Sequence, residues 1–277
     1  MATTTVSFAV RTHVGTRTVD VAYERSGTGE PLVLLHGIGH HRQAWDPVLR
    51  ILAAEREVIA VDLPGFGASP ALPHGLAYDL RTMVPVLGAF FGAVGVARPH
   101  VAGNSLGGLL ALELGRERLV RSVTALSPAG FWTQGERRYA FGVLRAMRGA
   151  ALAMPMPLIE RLSQSSPGRT ALTSTIYARP GRRSPGAVVA ETVALREATG
   201  FDQTLEAGLT VAFTDDVPDV PVSIAWGSDD RLLLRRQGVR ARHVIPGARL
   251  VRLPSCGHVP MNDDPAAVAR VILDTSR

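Results

Sequence analysis

The sequence predicts an α/β fold in which a mostly parallel sheet of about eight strands is flanked by helices. Three observations support this prediction. Short, continuously apolar segments alternate with helical segments from residue 31 onward, which is typical of parallel strands covered on both faces. Glycine-bearing loops directly follow several of these apolar segments. The 277 residues are also enough for one large domain with an insertion.

The elements follow from these patterns in chain order. Two β-rich segments, 3–11 and 16–25, are predicted to form a hairpin that turns near residues 13–15. The alternation then predicts strand 31–35, helix 42–54, strand 57–61, helix 77–94, strand 99–102, helix 105–117 and strand 119–126. Two more apolar segments, 221–226 and 249–253, complete the predicted sheet.

The alternation breaks between residues 131 and 210. Two helical segments, 137–153 and 186–198, lie in this region, and five prolines interrupt it. The sequence therefore predicts a core of residues 1–130 and 211–277 and a separate helical segment of residues 131–210.

The most informative motif is Gly103-Asn104-Ser105-Leu106-Gly107, where a predicted strand meets a predicted helix. Gly-x-Ser-x-Gly at such a junction is typical of a nucleophile elbow, a sharp turn that exposes the serine hydroxyl. Glycine on either side leaves room for the backbone to fold back on itself.

Three further loops with candidate catalytic or oxyanion-binding residues follow predicted strands. His36-Gly37-Ile38-Gly39 comes after the first parallel strand, Gly227-Ser228-Asp229-Asp230 after segment 221–226, and Gly257-His258 after segment 249–253. The chain order Ser, Asp, His is that of one triad lineage, and it differs from the His-Asp-Ser and Asp-His-Ser orders of the two best-known protease folds. A glycine-bearing loop such as the first can aim a backbone N–H at a developing oxyanion.

Together these motifs resemble the α/β-hydrolase superfamily over nearly the whole chain. The resemblance includes the His36 loop, the Asp62–Ser69 loop, the elbow at Ser105, the Trp226-Gly227 loop and the Gly257-His258 loop. It implies that residues 131–210 form a helical cap over the active site. It also implies a cofactor-free enzyme whose partner is a small-molecule substrate.

The resemblance also implies roles for particular residues. Ser105 is the expected nucleophile, His258 the general base, and Asp230 the acid that orients His258, with its neighbour Asp229 as the alternative. The expected oxyanion donors are the backbone amides of Ile38 and Leu106. His36 is expected to shape the oxyanion loop by hydrogen bonds.

We predict hydrolysis of an ester or thioester with an apolar acyl group. A serine at the elbow argues against the dehalogenase and epoxide hydrolase branches, which use an aspartate there. The alternative is cleavage of a carbon–carbon bond in a ring-cleavage product, because Gly103–Gly108 also resembles the elbow of those enzymes. They commonly carry tryptophan after the catalytic histidine, where this chain has Val259. A non-catalytic binding protein of the same fold is a further, less favoured alternative.

The charged residues exclude several other functions. All 30 basic residues are arginine, so a Walker A loop, a Schiff-base lysine and a Ser-Lys dyad are excluded. The net charge is +6, but the arginines are scattered, so nucleic-acid binding is not predicted. Arg42 stands where a dinucleotide fingerprint beginning at Gly37 needs its third glycine.

The remaining predictions concern location and metal binding. The single cysteine, Cys256, excludes an internal disulfide, and the start of the chain lacks a secretory pattern, so a cytoplasmic location is predicted. The longest apolar run, residues 83–97, is too short to span a bilayer. A metal site at His36, His40 and His41 is not favoured, because no carboxylate lies beside them in the sequence.

Overall fold

The computed structural model describes residues 3–277 and contains one eight-stranded sheet. The strands lie in the order β1-β2-β4-β3-β5-β6-β7-β8. Their bounds are β1 Thr4–Thr12, β2 Gly15–Ser26, β3 Pro31–Leu35, β4 Glu57–Val61, β5 His100–Asn104, β6 Ser122–Leu126, β7 Val222–Gly227 and β8 Arg249–Leu253. The β1–β2 hairpin and the β2–β4 pair are antiparallel, and all other pairs are parallel. The predicted fold class is confirmed.

Eleven α-helices flank this sheet within the described residues. They are α1 Asp46–Leu52, α2 Leu80–Ala93, α3 Leu106–Arg116, α4 Gln134–Ala153, α5 Met156–Ser163, α6 Ser166–Thr173, α7 Pro185–Glu197, α8 Phe201–Ala207, α9 Arg236–Val244, α10 Pro260–Asp263 and α11 Pro265–Thr275. Five of them, α4 to α8, lie between β6 and β7, where the alternation of the sequence breaks.

The core has two layers because alternate side chains of each central strand point to opposite faces of the sheet. Val33 and Leu35 of β3 belong to one apolar cluster, together with residues of α2 and α3. Leu32 and Leu34 belong to the other cluster, together with residues of α1 and α11. All four side chains are buried. The continuous apolar sequence of the strand is thus explained by burial on both faces.

Two predicted helix starts were wrong for local reasons. Residues Arg42–Trp45 form a 3₁₀ turn, and α1 begins only at Asp46. Pro47 has no N–H to donate to the preceding turn, which disfavours a continuous helix from residue 42 and suits the first turn of α1, where Pro47 stands. Helix α2 begins at Leu80 instead of residue 77, because the side chain of Asp79 caps it by accepting from the Thr82 N–H.

The sheet brings the predicted motifs together at the carboxyl ends of its parallel strands. The His36 loop, Ser105, the Asp230 loop and the His258 loop follow the carboxyl ends of β3, β5, β7 and β8. In open α/β sheets, ligands bind outside these strand ends. Across residues 3–277, none of the helices combines the length and apolar character needed to cross a bilayer.

Candidate active site

Ser105 lies on the sharp turn between β5 and α3. Its backbone has φ 56° and ψ −113°, a conformation that is strained for a residue with a side chain. A Cβ added at Gly103 would lie 2.0 Å from the carbonyl oxygen of Gly107, and one added at Gly107 would lie 2.1 Å from that of Leu35. The two glycines are therefore required by backbone contacts, and they hold the serine in this strained position.

His258 contacts Asp230 and not Asp229. Its Nδ1 lies 2.9 Å from the Oδ2 of Asp230, and both residues are buried. The other oxygen of Asp230 accepts from the N–H groups of Leu232 and Leu233, at 2.9 and 2.8 Å. These bonds fix the carboxylate, while Asp229 is exposed. The geometry thus favours Asp230 over its neighbour as the partner of the imidazole.

The His258 loop is held on two sides. The side-chain amide of Asn104 donates to the His258 carbonyl at 2.9 Å and to the Leu126 carbonyl at 3.1 Å. The buried carboxylate of Asp263 accepts from the N–H groups of Gly257, at 2.8 Å, and of Ala178, at 2.9 Å. The loop is thereby tied both to the strand that carries Ser105 and to the chain after α6.

Two backbone amides beside Ser105 are free to bind a ligand oxygen. Leu106 is the first residue of α3, so its N–H has no partner within the helix. Neither this N–H nor that of Ile38 donates a hydrogen bond to another group within residues 3–277. His36 makes one hydrogen bond within its own loop, where its Nδ1 lies 2.7 Å from the Gly37 carbonyl, and one to the chain after β4, where its Nε2 accepts from the Leu63 N–H. Burial lowers the pKa of His36, which favours the neutral ring.

Ser105 lines two pockets, each of about 70 Å³, which is room for several water molecules. We call the first the apolar pocket, because most of its walls are Leu, Phe, Met, Ala and Trp side chains. We call the second the polar pocket, because His40, Glu191 and His258 line it. Residues 131–210, which we call the insertion, contribute Phe141 to the first pocket and Ile176 to the second. The serine therefore lies between an apolar pocket and a second pocket whose largely apolar walls also carry titratable side chains.

Sequence comparison assigns the family. Residues 32–271 match a family model described as the alpha/beta hydrolase family. The chain belongs to this family. One relative, a pimeloyl-[acyl-carrier protein] methyl ester esterase of Aeromonas hydrophila, is 31% identical over 265 residues, which cover 92% of this chain and 98% of the relative. A second relative, Lipase 1 of Psychrobacter immobilis, is 27% identical over 258 residues, which cover 87% of this chain and 75% of the lipase.

Solved structures of other proteins have the same fold as this chain. A thermophilic esterase from Thermogutta terrifontis has a TM-score of 0.71 at 21% identity, with 98% of this chain and 99% of that chain covered. A meta-cleavage product hydrolase from Pseudomonas fluorescens has a TM-score of 0.72 at 19% identity, with coverages of 98% and 97%. The family and its esterase and lipase relatives support hydrolase activity for this chain.

Sequence reasoning missed three residues that shape the site of this hydrolase: Asn104, Asp263 and Glu191. Asn104 carried a signal, because a buried polar side chain directly before the serine needs hydrogen-bond partners. Glu191 lies far from the motifs in sequence and Asp263 only five residues after His258, but the positions of both depend on how α7 and α10 pack.

Structural contacts surround the remaining residues that the sequence singled out, which are Cys256, His40, His41 and Asp62. Burial raises the pKa of the Cys256 thiol to about 12, which disfavours a thiolate nucleophile. His40 and His41 stack with ring centroids 6.4 Å apart. Asp62 is buried against Arg42, with which it forms an ion pair. Over residues 3–277, no group of three or more His, Cys, Asp or Glu side chains is placed to hold a metal ion.

Proposed function

We propose that this protein is a serine hydrolase that cleaves an ester or thioester of an apolar acyl group. The observation that carries the proposal is the position of Ser105, on a strained elbow between an apolar pocket and a pocket lined by His258. The buried contact between His258 and Asp230 supports it, because a nucleophile, a base and an orienting acid are the parts that acyl transfer requires.

In the proposed reaction, the Ser105 hydroxyl attacks the substrate carbonyl while the Nε2 of His258 takes its proton. Asp230 holds the imidazole in the tautomer with hydrogen on Nδ1 and stabilises the cation that forms. The amides of Ile38 and Leu106 donate to the oxyanion. His258 then gives the proton to the leaving oxygen or sulfur, the carbonyl–heteroatom bond breaks, and an acyl-enzyme remains. Water, activated by His258, releases the acid and restores the serine.

The apolar pocket supports an apolar acyl group. Leu109, Phe141 and Leu205 are among its walls, and transfer of an acyl chain from water to such walls is favoured by about 0.8 kcal/mol per buried CH₂. We further propose that residues 131–210 act as a cap over a core of residues 1–130 and 211–277. Side chains of α4, α7 and α8 in the walls of the two pockets support this division.

The proposal is tested with p-nitrophenyl esters from acetate to palmitate and one ring-cleavage dienoate. We expect ester turnover that falls more than about a thousandfold in Ser105→Ala, the loss expected for a nucleophile. Ser127→Ala is the matched control, because Ser127 is also a buried serine after a central strand but lines neither pocket. Its turnover should stay near that of the wild type.

Three outcomes would contradict the proposal. Turnover retained in a folded Ser105→Ala protein would remove the serine from the mechanism. Turnover of the dienoate without turnover of any ester would establish the carbon–carbon hydrolase instead. A folded protein that turns over neither class would favour a binding role.

A further inference from the structure

The polar pocket contains a buried carboxylate that is only half satisfied. Glu191 lies on α7 and is 7% exposed. Its Oε1 accepts from the Tyr177 hydroxyl at 2.8 Å and from the guanidinium of Arg183. Its Oε2 is buried and has no hydrogen-bond partner within residues 3–277. An acceptor in this state is costly to leave unpaired, and a ligand in the pocket can satisfy it.

Two more unpaired atoms line the same pocket. The Nδ1 of His40 and the Nε2 of His258 are both buried without a partner among the described residues. The Nε2 of His258 is explained by the proposed reaction, which leaves His40 and Glu191 unused. Burial lowers the pKa of His40 well below its usual value, so its ring is neutral and offers one donor and one acceptor nitrogen.

The charges around Glu191 favour a neutral ligand group. The carboxylate is already paired with Arg183, which is itself buried, so the pair has no net charge to attract a cation. A hydroxyl group fits these conditions, because it can donate to a carboxylate oxygen and accept from an imidazole N–H.

We propose that the polar pocket binds the alcohol part of the ester, and that Glu191 selects an alcohol with additional hydroxyl groups, such as the glycerol part of a monoacylglycerol. This inference rests on the proposed ester hydrolysis at Ser105. The acyl chain occupies the apolar pocket, and the ester carbonyl lies at Ser105, which both pockets share. When the acyl C–O bond breaks, the alcohol oxygen takes its proton from His258, on the wall of the pocket that holds the alcohol.

The test compares two esters that differ only in hydroxyl groups: propyl octanoate and 1-monooctanoylglycerol. We expect the wild type to favour the glyceryl ester at least tenfold in kcat/KM, since each bond to a charged or buried partner contributes about tenfold or more. Glu191→Gln replaces a charged acceptor by a neutral amide, which forms a weaker bond with a hydroxyl, so the ratio of the two kcat/KM values should fall by about fivefold. Glu160→Gln, the same change on an exposed glutamate of α5, should leave the ratio unchanged.

A second variant tests the same inference if Glu191→Gln does not fold. Tyr177→Phe removes the hydroxyl that holds Glu191 without removing the carboxylate, and it should lower the ratio by a smaller factor. Equal kcat/KM for the two esters in the wild type, with Ser105-dependent turnover, would overturn this inference and leave the proposed function intact. A ratio preserved in the folded variants of Glu191 and Tyr177 would remove Glu191 from selection. Absence of turnover with every ester would overturn both proposals.

Discussion

Replacing Asn104 by leucine should weaken both the fold and the active site. The Asn104 side chain is 1% exposed, and its amide bonds two carbonyls, those of His258 and Leu126. The Leu126 carbonyl also accepts from the Ser105 N–H at 2.9 Å, so it stays paired in the variant. The His258 carbonyl loses its donor, and an unpaired buried carbonyl costs about 1–3 kcal/mol.

The second lost bond adds about 0.5–1.5 kcal/mol, the net value of an ordinary hydrogen bond. The free energy of unfolding of Asn104→Leu should therefore fall by about 1.5–4.5 kcal/mol, since leucine has similar size and leaves little cavity. The His258 backbone also loses its link to β5. Because His258 is the proposed general base and misplacement of such a group by about 1 Å can cost about 100-fold, kcat/KM for an ester substrate should fall by about 10–100-fold.

Urea unfolding and ester kinetics on the same preparation test this prediction. Gln164→Leu is the control, because Gln164 is exposed and its amide makes only a 3.4 Å contact with the Glu160 carbonyl. Its free energy of unfolding should stay within about 0.5 kcal/mol of the wild type. A loss below about 0.5 kcal/mol in Asn104→Leu, with unchanged kcat/KM, would refute the view that this amide holds the His258 loop.

Three other predictions follow from the site. Asp230→Asn should lower kcat by about 10⁴, as removal of the orienting carboxylate does in serine hydrolases, whereas Asp229→Asn should change it little; the reverse result in ester kinetics would move the acid by one residue. Gly107→Ala should prevent correct folding of the elbow, because its Cβ would lie 2.1 Å from a carbonyl oxygen of β3; a cooperative urea transition at the wild-type midpoint would contradict this. Burial lowers the pKa of His41 to about 4, so protonation favours the unfolded chain and stability should fall as the pH drops from about 6.5 towards 4. Urea midpoints across this range should fall less in His41→Gln than in the wild type, while His74→Gln, a change at an exposed histidine, should follow the wild type.

Much of the fold could be predicted because its strands are short, apolar and separated by recognisable loops. The bounds of β3, β4 and β8 agree with the predicted segments 31–35, 57–61 and 249–253. The positions of Ser105, Asp230 and His258 at the ends of strands could be predicted for the same reason. Parallel strands bring their carboxyl ends to one edge, so residues far apart in sequence meet there.

The parts that could not be predicted depend on packing between elements. Helices α5 and α6 are short, with eight residues each, and both begin near prolines, so periodicity over so few residues is weak. Glu191 lies on a helix where a glutamate is usually exposed. Its burial follows from Arg183 and Tyr177, which no spacing rule connects to it. The contacts that bury Glu191 are therefore those made within residues 131–210, between α7 and the chain that precedes it.

The elbow glycines, Gly103 and Gly107, cannot be replaced without a backbone clash, whereas other residues of the site can be. Ser105 is held in place by main-chain atoms of its own turn and of β3, whereas side chains of the insertion form part of the walls of both pockets. Substitutions in the insertion can therefore change what enters the site while the backbone that presents the serine stays the same. Such a division lets one framework host esterases, lipases and other hydrolases by drift in a few side chains. For protein engineering, specificity should accordingly be sought on α4, α7 and α8, and the turn at Ser105 should be left unchanged.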